Sequence, residues 1–258
     1  MTDVRYELTG RIARITLDRP AKLNAFTDDM VTELRSAFDR FDDDGEAWCA
    51  IVSGTGRAFS SGADVRQRQD RTSEEITKLG GLHARGASIR EVLAGQTRMK
   101  PVVAAVHGYA LGAGLKLSLY CDQLVAAEGT QFQATEVSRG LDCTDVWFML
   151  CDRAGSQFAS DVCMTGRRWQ AEEPAAAGFA TRIAPAENYL TVAEELAAQI
   201  LTNPPLAVRS VVRARRLRLA ELELASRRQA DRSLAHSGDF RESVKAYLEK
   251  RVPVYRGQ

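Results

Sequence analysis

The chain has 258 residues, with 35 Lys plus Arg against 34 Asp plus Glu, and a net charge of +1 argues against a dedicated polyanion binder. Hydrophobic content of 45% and charged content of 27% predict a globular protein with a substantial core, one large domain or one plus an appendage. Met1 to Arg14 lacks the apolar centre of a signal peptide, and no run is long and apolar enough to span a bilayer, which predicts a cytoplasmic protein with no membrane partner. The five cysteines (Cys49, Cys121, Cys143, Cys151, Cys163) have no C-x-x-C spacing and an odd count, as reduced thiols do. The histidines His83, His107 and His236 lie far apart, so no metal site is expected.

Val4 to Leu8 and Ile12 to Leu17 alternate around Thr9-Gly10 and predict a β-hairpin. Asp18 to Ala25 (DRPAKLNA) reads as a loop leading to a helix, with Thr27 as N-cap ahead of Asp28 and Asp29. Met30, Val31, Leu34, Phe38 and Phe41 then recur at helical spacing. Ala47 to Ser53 is the next strand, and Gly54 to Asp64 (GTGRAFSSGAD) connects it to a helix. Val65 to Gly81 is polar, either a solvated charged face or a flexible lid. His83 to Met99 is predicted as an amphipathic helix carrying Ile89, Val92 and Leu93.

The chain is organised around Lys100 to Glu136. Lys100-Pro101 opens a short β-branched run, Val102 to Val106, that reads as a buried strand. Gly108, Gly112 and Gly114 then let backbone approach a ligand closely, and Ala113, Leu115, Leu117 and Leu119 suit a helix starting at this turn. First-turn N–H groups of such a helix, at the positive end of its dipole, can hold a carbonyl oxygen as it gains charge. An isolated turn of this kind serves equally for tight packing of helix on strand.

More than the turn is present. Lys100-Pro101-Val102, Ala104-Ala105-Val106, Gly108, Cys121-Asp122, Phe132, Glu136 and Gly140 fall in register with the signature KPV-x-AAV-x-G-x-A-x-GGG-x-E-L-x-x-x-CD followed by F-x-x-PE-x-x-x-G. The stretch therefore resembles the enoyl-CoA hydratase/isomerase (crotonase) superfamily, and the likeness runs from Val4 to Arg256. It implies an α/β crotonase spiral of ββα units over residues 1–200 and a C-terminal helical region over 201–258 that supports homotrimers, often stacked as hexamers. It implies an acyl-CoA thioester as substrate, CoA being part of that substrate, and no separate cofactor. The shared chemistry is an enolate-like intermediate held by two backbone N–H groups, with proton transfer by a nearby side chain.

The resemblance assigns residues in turn. GTGRAFSSGAD resembles the loop G-x-G-x-x-F-x-x-G-A-D, which makes the N–H of Ala63 one oxyanion donor; Ala113 falls where the second donor sits. Asp64 and Val65 beside the first, and Tyr109 and Gly112 beside the second, join the substrate-binding set. Lys22, Leu23 and Ala25 lie in a loop similar to R-P-x-x-x-N-A, which touches the pantetheine and pyrophosphate of CoA. Ser61 falls near the adenine ring, and Lys250 where relatives place a lysine near the 3′-phosphate. Asp142 and Trp147 fall near the acyl pocket, where the family's dehalogenases carry a nucleophilic aspartate. Read as residues alone, Asp142 and Asp145 are capping acids and Trp147 fills a pocket. Met164 to Phe179 matches a segment that is structural in the family.

One departure bears on chemistry. The hydratases have a glutamate where this chain has Lys116, whereas the second glutamate is kept as Glu136. Hydration uses a carboxylate on each side of a water, and a protonated lysine accepts no proton. Three readings follow: an enzyme using Glu136 alone, most simply as a double-bond isomerase; an acyl-CoA-binding relative with impaired catalysis; and decarboxylation or hydrolysis, with Lys116 on a substrate carboxylate and His236 at the site. The arginines between Val208 and Arg232 are interrupted by Glu221 and Glu223 and lack interleaved aromatics, so a trimer-forming helix with a basic outer face is expected there, not a nucleic-acid surface.

Overall fold

The computed structural model describes residues 2–69, 74, 75, 78, 88–94 and 96–258. Strands β1 (Val4–Thr9) and β2 (Ile12–Leu17) form the expected antiparallel hairpin, although the turn sits one residue later, at Gly10 and Arg11, with Thr9 paired to Ile12. Helix α1 (Asp28–Asp43) begins where Thr27 Oγ1 accepts from the Met30 N–H. Its apolar stripe of Met30, Val31, Leu34, Ala37, Phe38 and Phe41 is buried. After β3 (Cys49–Gly54) come two short helices, α2 (Val65–Gln69) and α3 (Ile89–Ala94). Most of the stretch read as a polar lid, and 81–87 of the predicted helix, lie outside the described residues. That helix does not reach Met99, which has φ 52°.

Strand β4 (Val102–Val106) is followed by β5 (Tyr109–Leu111), α4 (Ala113–Tyr120), β6 (Gln123–Ala127) and β7 (Gln131–Gln133). Then come α5 (Thr144–Ala154), α6 (Ser156–Thr165), β8 (Arg182–Ala184), α7 (Tyr189–Leu201), α8 (Pro205–Gln229) and α9 (Gly238–Glu249). The main sheet has order β1-β2-β3-β4-β6-β8 and is parallel from β2 onward; β5 and β7 form a separate parallel pair.

The β-branched and small residues of β4 are fully buried because both faces of the sheet are covered. Val102, Ala104 and Val106 face the main core with α1 and α4, while Val103 and Ala105 face a smaller cluster under α7 with Ala193 and Ala197. Period-two alternation thus separates two layers of packing. Lys100, with no exposed surface, donates to the carbonyls of Phe41 and Asp44 at 2.6 Å each, placing a cation at the end of α1, where helix carbonyls lack partners.

The arginine-rich helix differs from expectation. Arg215 and Arg216 of α8 turn inward, meeting Asp122 at 3.2 and 3.0 Å and the carbonyls of Leu119, Tyr120 and Lys100. They tie the C-terminal helix to the end of α4; a purely outward basic face would leave Asp122 unpaired. Asp145 likewise is not the N-cap of α5. Cys143 holds that position and Asp145 lies in the first turn.

Candidate active site

Three parallel pairings assemble the site. The β5–β7 register sets Leu111 beside Gln133, and the Gly112 N–H donates to Gln133 O at 2.9 Å, so the glycine turn lies against the segment that leads into Glu136. A bridge between Ser60 and Ala110 draws the Gly62–Ala63 loop alongside β5. A third, Phe26 with Ala63, adds the loop that carries Lys22 to Ala25.

The third bridge also orients a donor. Phe26 N–H donates to Gly62 O and Asp64 N–H donates to Phe26 O, so the N–H of Ala63, between them in extended backbone, points the other way. Ala113 is the first residue of α4, where a backbone N–H has no helical acceptor. Among the described residues neither N–H has a partner. The two loops touch: a Cβ on Gly62 would lie 3.4 Å from Ala113 N. Ala113 has no positive φ; the conformation only glycine accepts falls on Gly112, at φ 49° and ψ −113°. A Cβ there would come within 2.4 Å of Thr135 Oγ1, which replaces the proline of the family pattern.

Glu136 opens a 3-10 turn (Val137–Arg139), and its carbonyl accepts from Arg139 and Leu141 N–H, which fixes its backbone. Its side chain is buried. Oε1 lies 3.2 Å from Lys116 Nζ, and Oε2 is buried without a hydrogen-bond partner. Lys116 Nζ also lies 2.9 Å from Asp145 Oδ2, and Asp145 Oδ1 accepts from Val146 N–H at 2.8 Å. Burial works to lower the Lys116 pKa, but the carboxylates of Asp145 and Glu136 outweigh it and hold the ammonium above the ordinary lysine range. Lys116 Nζ is thus engaged by two carboxyl groups at once. His236 is exposed at the end of the turn after α8, with no hydrogen bond or ion pair to this group among the described residues.

The remaining predicted residues divide. Lys22 is exposed on a 3-10 turn, Leu23 is left-handed with its carbonyl accepting from Ser61 N–H, and Ala25 is buried with its carbonyl on Arg19. Asp64 is engaged by Arg19 at 2.8 Å; burial alone would raise its pKa, but the guanidinium overrides this and holds it below the usual 3.8. Val65 starts α2, and Tyr109 accepts from Ser60 N–H through its carbonyl. Asp142 accepts from the Thr144 hydroxyl, and Trp147 Nε1 donates to Ser160 Oγ, so both have structural partners. Lys250 ends α9 in the left-handed conformation, exposed and apart from the Glu136 group.

One contributor was not singled out from sequence. Asn24, fully buried at φ 52°, accepts from Arg19 N–H and donates to the carbonyls of Thr55 and Ala58, binding the loop that carries Lys22 to Ala25 to the loop that follows β3. Its signal was its place in the R-P-x-x-x-N-A loop, because asparagine tolerates the left-handed region. Asp145 reads from sequence as a capping acid and as a carboxylate near the acyl pocket; its ion pair with Lys116 gave no signal. Among the described residues no group of three or more His, Cys, Asp or Glu is placed to hold a metal.

Parallel strands and a second small sheet that bring the Gly62–Ala63 and Gly112–Ala113 turns together near the buried Glu136 make the arrangement of a crotonase fold. Residues 7–258 match the family model described as Enoyl-CoA hydratase/isomerase, and the chain belongs to that family. It is 33% identical over 256 residues to a Mycobacterium tuberculosis (strain CDC 1551 / Oshkosh) protein named probable enoyl-CoA hydratase echA8, covering 96% of each chain. It is 31% identical over 260 residues to mevalonyl-coenzyme A hydratase sidH of Aspergillus fumigatus, covering 96% of this chain and 92% of that one. A solved enoyl-CoA hydratase/isomerase from Mycobacterium paratuberculosis superposes with a TM-score of 0.82 at 30% identity, covering 95% of this chain and 98% of that one.

Proposed function

We propose that the protein shifts a double bond along an acyl-CoA thioester, with Glu136 as the only proton carrier. The thioester oxygen sits on the N–H groups of Ala63 and Ala113, where an enolate oxygen is stabilised as it forms. Glu136 Oε2 takes a proton from C2 of a 3-enoyl chain, the double bond moves from C3–C4 to C2–C3, and the same carboxyl returns the proton at C4. The protein is unchanged and no water is consumed.

The observation that carries this reading is the Lys116 ammonium between Glu136 and Asp145. A hydratase holds a water between two carboxylates; here a cation that cannot attack carbon occupies a place between two carboxylates. Glu136 Oε2, buried and without a partner, is left as the free basic atom. The exposed Val211, Leu217 and Leu224 on α8 suit a homotrimer contact, in keeping with a cytoplasmic oligomeric enzyme.

The test is to mix the purified protein with 3-hexenoyl-CoA and with crotonyl-CoA and follow absorbance of the conjugated thioester. Conjugation of the first with little hydration of the second is expected. Hydration comparable with a two-glutamate relative would overturn the single-base mechanism. Acyl-CoA binding with no turnover of either substrate would favour the binding-protein reading, for which the closed Lys116 ion group is the supporting feature.

A further inference from the structure

At the opposite end of β4 from the oxyanion turn, a cavity of about 280 Å³ opens between the turn before Lys100 and the first half of α8. It is lined by Thr97, Arg98, Leu206, Arg209, Ser210 and Arg213. The four residues from α8 stand at spacings of three, four and seven, which places them on one face of the helix. Three arginines therefore line a single space.

These charges are not neutralised locally. Among the described residues Arg98, Arg209 and Arg213 form no salt bridge, whereas Arg215 and Arg216, one turn on, are both paired with Asp122. The Arg209 Nε is buried without a hydrogen-bond partner. Asp42, an acid beside this turn, is already committed: its carboxylate accepts from Thr97 N–H, the Thr97 hydroxyl and Arg98 N–H. These bonds hold the turn that presents Arg98 rather than answering its charge. Pro204 supplies no side-chain cap to α8, so the positive end of that helix adds to the same field. Lys100 beneath feels it as well: burial lowers its pKa, and Arg209 and then Arg98 lower it further, against the opposing pull of Asp42.

Clustered guanidiniums bind phosphate oxygens in pairs of parallel N–H bonds, whereas the two hydroxyls are already committed, Thr97 to Asp42 and Ser210 to the carbonyl of Ala207. A space of this size takes one or two phosphate groups and a small substituent, not a whole nucleotide-type carrier. We propose that this cleft is a binding site for a small phosphate-bearing anion, separate from the acyl-CoA site. It lies at the N-terminal edge of the parallel strands, whereas Ala63, Ala113 and Glu136 lie past their C-terminal ends.

Titration calorimetry of the full chain with inorganic diphosphate in chloride buffer tests this. Three proteins are compared: wild type, the double variant Arg209→Gln/Arg213→Gln, and Lys22→Gln, which alters the loop similar to CoA-pyrophosphate loops. One saturable site is expected in wild type, weakened at least about tenfold in the double variant and unchanged in Lys22→Gln. Arg213→Gln alone, at an exposed position, should weaken binding while leaving the fold intact, which covers the case of a misfolded double variant. Absence of saturable binding, equal binding in the arginine variants, or loss of binding in Lys22→Gln would each overturn the proposal. So would a wild type that ignores diphosphate while the arginine variants change oligomeric mass by light scattering, because a carboxylate of a second copy would then fill the cleft.

Discussion

Lys116 and Glu136 stand on separate elements, α4 and the turn after β7, yet their side chains meet at 3.2 Å and leave the second Glu136 oxygen buried and unbonded. One oxygen is held by a cation and the other is free for a substrate proton. Replacing Glu136 with Gln preserves shape and removes the base. Isomerase turnover should fall by about 10²–10⁴-fold while affinity for saturated acyl-CoA stays near wild type. Retained turnover would move the base to Asp142 or Asp145.

Restoring a hydratase site takes more than one change. Lys116→Glu alone gathers Glu136, Asp145 and the new carboxylate, and like charges at that separation disfavour ionisation of all three. Hydration of crotonyl-CoA should rise further in Lys116→Glu/Asp145→Asn, by roughly tenfold over the single variant. Equal rates in the two variants would show that Asp145 does not influence the site.

Gly112 leaves no room for a side chain at the start of α4. Gly112→Ala places a methyl against Thr135 Oγ1 in a conformation that L-residues avoid. Urea denaturation should show a loss of about 1–3 kcal/mol, and turnover should fall more than stability explains, because the turn also aims the Ala113 N–H.

Asp122 is buried and serves Arg215, Arg216 and the Val102 N–H together. Asp122→Ala strands two guanidiniums and should cost roughly 3–5 kcal/mol in global unfolding. A loss below about 1 kcal/mol would mean that α8 is held by its apolar contacts.

Asp64 gives a pH-dependent contribution. Its native pKa is depressed below 3.8 by Arg19, so its stabilisation is fully present above the unfolded value and is lost as pH falls from 3.8 through the lower native value. Asp64→Asn should flatten the acid limb of a melting-temperature profile in that window and leave the neutral limb parallel to wild type.

The main strands and helices were legible because burial on both faces of β4 and the amphipathic stripe of α1 leave periodic apolar residues. The three-residue strands β5 and β7 left no such pattern, although their pairing sets the turn beside Glu136. The change at Lys116 and the retention of Glu136 could be read from spacing; the part of Asp145 could not, because its link to Lys116 joins helices 29 residues apart in the sequence. A local rule makes Asp145 a capping acid, and only tertiary placement gives it a second duty. Arg215 and Arg216 misled for the same reason: nothing in a helical run of arginines tells which of them face Asp122.

A lysine next to a thioester is a hazard, since a neutral amine attacks the carbonyl carbon, displaces CoA and is left as an amide. Under the proposed function Lys116 would meet this hazard, three residues along α4 from the Ala113 N–H. Its position between Asp145 and Glu136 keeps the nitrogen protonated, with no lone pair to attack, despite the burial that would otherwise release the proton. Under the proposed function the ion group would then guard against self-acylation. In Asp145→Asn, mass spectrometry after incubation with an acyl-CoA should find an acyl group on Lys116 that wild type does not accumulate.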